Sequence, residues 1–286
     1  MPFNILYCLN SQYQYQAWTS IISILENNKS NQFIFHIFHD GSLNLRYCDL
    51  VSKEYPNCAF NPINVERVGR KFFSSLYLKT KNHISAYYRL LVFVYLSNLD
   101  RVLYLDSDII CNSTLEQLYN ANLNNQPIGA VKEFIFSRLN RPLLNRRYAG
   151  IQKYFKQKFN FNNLGDYFNS GVMLFDLSKI KNKENEFLNL MEIARKNNNY
   201  FHDQNVLNIY YKGKVAFLDP NWNVLNDLRS SKCRRFEYGI IKEYQSLTPA
   251  PKIYHFTPTR PWLDSKVDHY DIWAKYSNIF SEITEK

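Results

Sequence analysis

Short apolar runs alternate with amphipathic stretches from the start of the chain. Phe3–Leu9 has the length and continuity of a buried strand, and Tyr15–Leu25 carries helical spacing. Phe33–Phe38 predicts a second strand, Leu43–Ser52 a helix and Ala59–Asn64 a third strand. Ala86–Leu96 is apolar on nearly every side and predicts a buried helix. Polar Ser97-Asn98-Leu99-Asp100-Arg101 then leads into the apolar run Val102–Leu105, another buried strand. A helix near Thr114–Tyr119 capped by Ser113 or Thr114, strands at Ile128–Val131 and Gly171–Phe175, and a helix at Glu184–Lys196 follow. Asn205–Tyr211 reads as helix, Ile253–Phe256 as a late strand and the tail as helix. Strands alternating with helices in short units predict an α/β fold with a mainly parallel, doubly wound sheet.

The segment Lys132–Lys158 interrupts this alternation. It holds Lys132, Arg138, Arg141, Arg146, Arg147, Lys153, Lys156 and Lys158 against Glu133 alone, and predicts a basic helical insertion. A smaller cluster lies at Arg229, Lys232, Arg234 and Arg235, within a net charge of +10. Such patches attract phosphates on nucleic acids, anionic lipids or acidic sugars; a merely solubilising surface is as good a reading of the second. With 45% hydrophobic and 21% charged residues the chain folds around a core and is not disordered. The five cysteines, Cys8, Cys48, Cys58, Cys111 and Cys233, are odd in number and contain no C-x-x-C pair. They predict neither a disulfide framework nor a zinc site, and fit a reducing cytoplasm. No signal peptide and no apolar stretch of the ~20 residues that span a membrane is visible. A catalytic domain at 1–262, with the insertion at 132–167 and a helical tail at 263–286, is the expected division.

The chemistry concentrates in Tyr104-Leu105-Asp106-Ser107-Asp108. Residues at i and i+2 of a strand share a face, so both carboxylates aim at one point and suit a hard divalent cation. In open α/β sheets ligands sit beyond the carboxyl ends of the strands, where other polar groups gather. Asn10, Gln12 and Tyr13 follow the first strand and offer amides for a base edge and a ring to stack on it; a polar turn is the plainer alternative. Arg89, within the apolar Ala86–Leu96, must reach a carboxylate, a phosphate or solvent. Asn169-Ser170-Gly171 precedes its strand, with Asn169 able to donate to and accept from hydroxyls and Gly171 admitting a ligand near the backbone; a plain loop-to-strand turn is the alternative. Asp203 caps the following helix or orients a substrate hydroxyl, with Gln204 beside it. His255, closing a late strand, adds an imidazole that would complete a mixed oxygen and nitrogen set suited to Mn²⁺.

Taken in order, Ile5–Tyr13, Ser85–Arg89 with Leu90, Val102–Ile110, Ile128–Glu133, Phe168–Leu177, His202–Leu207 and Tyr254–Trp262 resemble glycosyltransferase family 8. Phe168-Asn169-Ser170-Gly171 and His255…Pro261-Trp262 are the most specific elements, and the likeness covers nearly the whole chain. It implies a GT-A fold, a UDP-glucose or UDP-galactose donor, Mn²⁺ or Mg²⁺, and retention of anomeric configuration. Carried over by position, Asp106, Asp108 and His255 would bind the metal, with Ser107 between the aspartates. Asn10, Gln12 and Tyr13 would hold the uracil. Arg89, Asn169, Ser170, Asp203 and Gln204 would surround the donor sugar, Glu133 would lie near sugar or acceptor, and Arg260 stands for a phosphate-binding lysine. Asn10 departs from a common aspartate, and the closing motif is one residue short, with Pro258 near an expected glycine.

The resemblance implies a glycan or lipid-linked glycan acceptor, in lipopolysaccharide or another surface glycan, and no nucleic-acid partner. Bacterial members often end in a basic tail that meets the membrane. The residues after Trp262 are not net basic, so the expectation is either a truncated tail or docking to an anionic membrane surface through Lys132–Lys158 instead. Gln204 is a feeble nucleophile, which favours front-face attack over a glycosyl-enzyme. Two alternatives stay open at this point: a haloacid-dehalogenase-type phosphatase, which also uses an Asp-x-Asp after a strand, and a non-catalytic nucleic-acid binder.

Overall fold

The computed structural model describes residues 1–73, 76, 84–134, 150, 153–154, 156–157, 161, 164–196, 202–226 and 238–286. Its strands are β1 (Phe3–Leu9), β2 (Phe33–His39), β3 (Cys58–Asn64), β4 (Arg101–Leu105), β5 (Ile109–Cys111), β6 (Ile128–Lys132), β7 (Phe168–Asp176), β8 (Val215–Phe217), β9 (Val224–Leu225) and β10 (Ile253–His255). Seven of them form one sheet in the order β3-β2-β1-β4-β7-β6-β8, and β5-β10-β9 form a second. The first four run parallel, while β7 is antiparallel to both β4 and β6. This is the expected α/β architecture.

The central strands are continuous apolar runs because both sheet faces are covered. Along β1, Phe3, Ile5, Tyr7 and Leu9 enter one core with Trp18 and Ile21, while Leu6 and Cys8 enter the other with Phe38 and Leu90. In β4 the same alternation sends Leu103 and Leu105 one way, Val102 and Tyr104 the other. The helix Tyr270–Glu285 adds Trp273, Tyr276, Phe280 and Ile283 to the first core and lies on the helix Gln14–Asn27, where Asn27 Nδ2 donates to Tyr276 Oη at 2.8 Å. Among the described residues no helix is long and apolar enough to cross a membrane, and the four described cysteines are free.

Three local expectations change. Ala86–Leu96 is not one helix: Ile84–Tyr87 and Val92–Tyr95 are α-helical, and Tyr88–Leu91 between them is a 3₁₀ turn. The tightening falls at Arg89, whose Nε binds the Ala86 carbonyl at 3.0 Å. β7 begins at Phe168, so Asn169 and Ser170 are buried strand residues and not a turn. The helix Glu116–Tyr119 is not capped by Ser113, and Thr114 Oγ1 is 3.4 Å from the Glu116 amide. The short bond comes from Asn28, whose Oδ1 accepts from the Leu115 amide at 2.7 Å while its Nδ2 donates to Ile24 and Ser113 carbonyls. The short strands β5, β8 and β9 and the helices Glu66–Phe73 and Tyr238–Leu247 add to the elements expected from the sequence. Of the basic segment, Lys132, Lys153 and Lys156 are described and exposed; Arg138, Arg141, Arg146, Arg147, Lys158 and the cluster Arg229, Lys232, Arg234 and Arg235 lie outside the described residues.

Asn28 is a buried polar hub joining two distant segments. Asn28→Ala strands the Leu115 amide, and the expected loss of stability is about 1–3 kcal/mol, read as a lowered urea midpoint at unchanged slope. An unaltered midpoint would remove the hub.

Candidate active site

The turn from β4 into β5 carries Asp106, Ser107 and Asp108, all half-buried. Backbone bonds pin it from both sides: Asp106 N–H donates to the Gly171 carbonyl of β7, and Phe256 N–H to the Asp108 carbonyl, each at 2.8 Å. The second bond fixes β10 against the turn, so the His255 ring faces both carboxylates. Its Nε2 lies 3.3 Å from Asp108 Oδ1 and 3.7 Å from Asp106 Oδ2. One ligand atom from each of the three residues fits within 4.8 Å of the others. Burial pulls the imidazole pKa down, but Asp108 and Asp106 outweigh it and raise it above its ordinary value. The same carboxylates that favour a proton on Nε2 favour a cation in its place.

Gly171 makes this approach possible. A Cβ built on it would stand 2.3 Å from His255 Cε1, so its absent side chain gives room to the imidazole ring itself.

Arg89 lies across the other side of Asp106, almost fully buried. Its Nη2 donates to Asp106 Oδ1 at 2.9 Å, its Nη1 to the Ser170 carbonyl at 2.6 Å, and its Nε is 2.8 Å from Asp203 Oδ2. Tyr104, two residues back on the same strand face, donates to Asp106 Oδ1 at 2.6 Å and lays its ring 4.0 Å under the guanidinium. Burial opposes the charge on Arg89, but Asp203 and Asp106 outweigh it and raise its pKa. Asp106 Oδ1 is thus held by two donors while Oδ2 faces His255.

Asp203 sits in the first turn of the helix His202–Tyr210 and is buried. Burial pushes its pKa up to about 6, with Arg89 pulling the other way. Its Oδ2 has the charge of Arg89 beside it but accepts no hydrogen bond among the described residues. Gln204 Oε1 accepts from the Ser170 amide at 3.0 Å and its hydroxyl at 3.3 Å, and Gln204 Nε2 reaches Tyr167 Oη at 3.4 Å.

Asn169 Oδ1 accepts from the Gly171 amide and from Asn223 Nδ2, both at 2.8 Å, and its Nδ2 donates to Glu133 Oε2 at 2.8 Å. Its oxygen is therefore committed, and among the described residues Glu133 takes one of its two Nδ2 hydrogens.

Hydrogen bonds and ion pairs thus join Arg89, Asp106, Asp108, Glu133, Asn169, Ser170, Asp203, Gln204 and His255, through Asn223, into one network. Asn10, Gln12 and Tyr13 lie apart, on the turn after β1 at the same carboxyl edge of the sheet; Asn10 Oδ1 accepts from the Gln12 amide at 3.1 Å. Arg260 is exposed on the loop past His255. Sequence reasoning missed Tyr104 and Asn223. The first had a signal in its i−2 relation to Asp106; the second had none, because its partners come from remote strands.

A family model for glycosyl transferase family 8 matches residues 4–266. The chain is 29% identical over 287 residues to an Escherichia coli lipopolysaccharide 1,2-glucosyltransferase, covering 96% of this chain and 75% of the relative. It is 27% identical over 270 residues to a Salmonella typhimurium lipopolysaccharide 1,3-galactosyltransferase, covering 91% and 73%. Among solved structures, the galactosyltransferase LgtC with donor and acceptor sugar analogs superposes with a TM-score of 0.74 at 21% identity, over 96% of this chain and 95% of LgtC. The bifunctional glycosyltransferase WbbM gives a TM-score of 0.80 at 20% identity over 99% of this chain, which spans 51% of WbbM. The fold is therefore GT-A, and the chain belongs to glycosyl transferase family 8.

Proposed function

We propose that this chain is a metal-dependent, retaining hexosyltransferase that moves glucose or galactose from a UDP-sugar to a glycan hydroxyl, in lipopolysaccharide or a related surface glycan. The observation that carries the reading is the convergence of Asp106, Asp108 and His255 beside the buried Arg89–Asp203 pair. The names of the relatives point to the hexose and the acceptor class. Family membership displaces both alternatives raised by the sequence, the phosphatase and the non-catalytic nucleic-acid binder.

The donor set of two carboxylates and one imidazole suits Mn²⁺ or Mg²⁺, held by Asp106, Asp108 and His255. When bound, such an ion supplies Lewis-acid neutralisation of the departing diphosphate. Arg260, on its exposed loop, is assigned a second positive charge for the phosphates. Asn10, Gln12 and Tyr13 are assigned the uracil, at the edge of the sheet where β1 ends. Asp203 Oδ2, buried and accepting no hydrogen bond among the described residues, is assigned a sugar hydroxyl, and Asn169 and Glu133 are assigned the sugar or the acceptor. Gln204 Oε1 is spent on Ser170, which argues against a covalent glycosyl-enzyme. Front-face attack remains: the acceptor oxygen bonds to the anomeric carbon as the bond to UDP breaks, and its proton passes to the leaving phosphate oxygen. The catalytic domain is assigned to 1–262, with 132–167 on the acceptor side and 263–286 as its tail. A cytoplasmic location fits these substrates, with exposed Lys132, Lys153 and Lys156 offered to an anionic membrane surface.

Asp106→Asn keeps an oxygen for Arg89 and Tyr104 but removes a ligand charge. Release of UDP from UDP-glucose or UDP-galactose with Mn²⁺ is expected to fall at least about 100-fold, while the circular-dichroism melt stays cooperative. Unchanged turnover would end the metal role.

Acidity gives a second check. Turnover should fall roughly tenfold per pH unit below about 6 as Asp203 gains its proton. An unfolded aspartate titrates near ~3.9. Between pH 4 and 6 the folded chain therefore holds this proton and the unfolded chain does not, so this group adds stability as pH falls. Activity should be roughly tenfold lower at pH 5 than its plateau, without unfolding. Loss that tracks the melting transition would point elsewhere.

A further inference from the structure

His255 does not stand alone behind its carboxylates. Its Nδ1 lies 2.9 Å from Asn223 Oδ1, Asn223 Nδ2 donates to Asn169 Oδ1, and Asn169 Nδ2 donates to Glu133 Oε2. All four side chains are buried. The direction of this chain is fixed by its far end. Gly171 N–H can only donate, so the Asn169 atom it meets is oxygen. The Asn223 atom facing that oxygen must then be Nδ2, which leaves Asn223 Oδ1 against the imidazole. An amide oxygen only accepts, so Nδ1 carries the hydrogen. The neutral ring must present its bare Nε2 to Asp106 and Asp108.

Asn223 itself is held firmly. It follows the 3₁₀ turn Pro220–Trp222, which Asp219 caps by accepting from the Asn221 amide at 2.9 Å. Lys252 N–H donates to the Asn221 carbonyl at 2.9 Å and ties this turn to the strand that bears His255.

We propose that Asn223 is a positioning residue that sets the tautomer and orientation of His255, so that the site takes a nitrogen ligand and prefers Mn²⁺ over Mg²⁺. This holds if Asp106, Asp108 and His255 bind the divalent cation assigned to them above. A bond to the second ring nitrogen fixes a ligating histidine and strengthens it as a donor. Imidazole nitrogen favours transition metals, whereas Mg²⁺ relies on oxygen. Misdirecting the ring should therefore weaken Mn²⁺ selectively.

The test titrates Mn²⁺ and Mg²⁺ into the full chain with UDP present, by calorimetry, comparing wild type with N223L, N223D, H255A and the N223L/H255A double variant. N223L, which removes the acceptor at similar volume, is expected to lower Mn²⁺ affinity about 10–100-fold and Mg²⁺ affinity less than about threefold. N223D keeps an oxygen against Nδ1 and should hold or raise the ratio of the two affinities. In the H255A background N223L should cost nothing further. Equal losses for both ions, or an added loss in the double variant, would overturn the inference. So would a ratio in N223D that collapses to the H255A level, a result open even if N223L does not fold. Wild type and H255A with the same Mn²⁺ affinity would instead overturn the metal assignment itself.

Discussion

A guanidinium buried among carboxylates is the constraint on which the site is built. Breaking a buried ion pair from one side costs about 3–5 kcal/mol, so Arg89 must keep Asp203 and Asp106 within reach. That demand joins the 3₁₀ turn carrying Arg89, the end of β4 and the helix His202–Tyr210 at a single place. Tyr104 adds a ring beneath the charge and a hydroxyl to the carboxylate it serves. The outcome is a division of labour within Asp106: one oxygen anchored by two donors, the other turned to the imidazole.

The two sheets meet at the same place. Asp106 and Asp108 belong to the turn where the chain passes from the larger sheet to the smaller, and His255 closes β10 of the smaller one. Two backbone bonds, to Gly171 and from Phe256, set the separation. Orientation of the acidic turn is consequently established by folding itself, which is what preorganised electrostatic stabilisation requires.

How far the residues announced this depended on whether their partners were near in sequence. The strands β1, β2 and β4 were legible because burial on both faces writes itself as nearly continuous apolar runs. The aspartates were legible because a period of two places them on one face. Arg89 announced its need for a carboxylate through its apolar setting, though not which one. Asn169 and Ser170 hid the start of β7: polar residues before a glycine allow a turn, yet they lie in the strand because Glu133, Asn223 and Gln204 satisfy them from afar. Gly171 was read as space for a ligand and is space for a ring. Asn28, capping a helix far along the chain, and Asn223, behind the imidazole, left no local trace. Family resemblance supplied the order of the motifs, and the geometry supplied what each oxygen is occupied with.

The amides between His255 and Glu133 have a property that a water chain or a row of carboxylates would lack. Each passes on a hydrogen bond, yet an amide neither gains nor loses a proton within the ordinary range. Alignment and polarity are transmitted along the row, but acid and base are not. No proton can therefore travel along the row between the imidazole and the buried glutamate, and what reaches His255 from Glu133 is its field, which helps to raise the imidazole pKa.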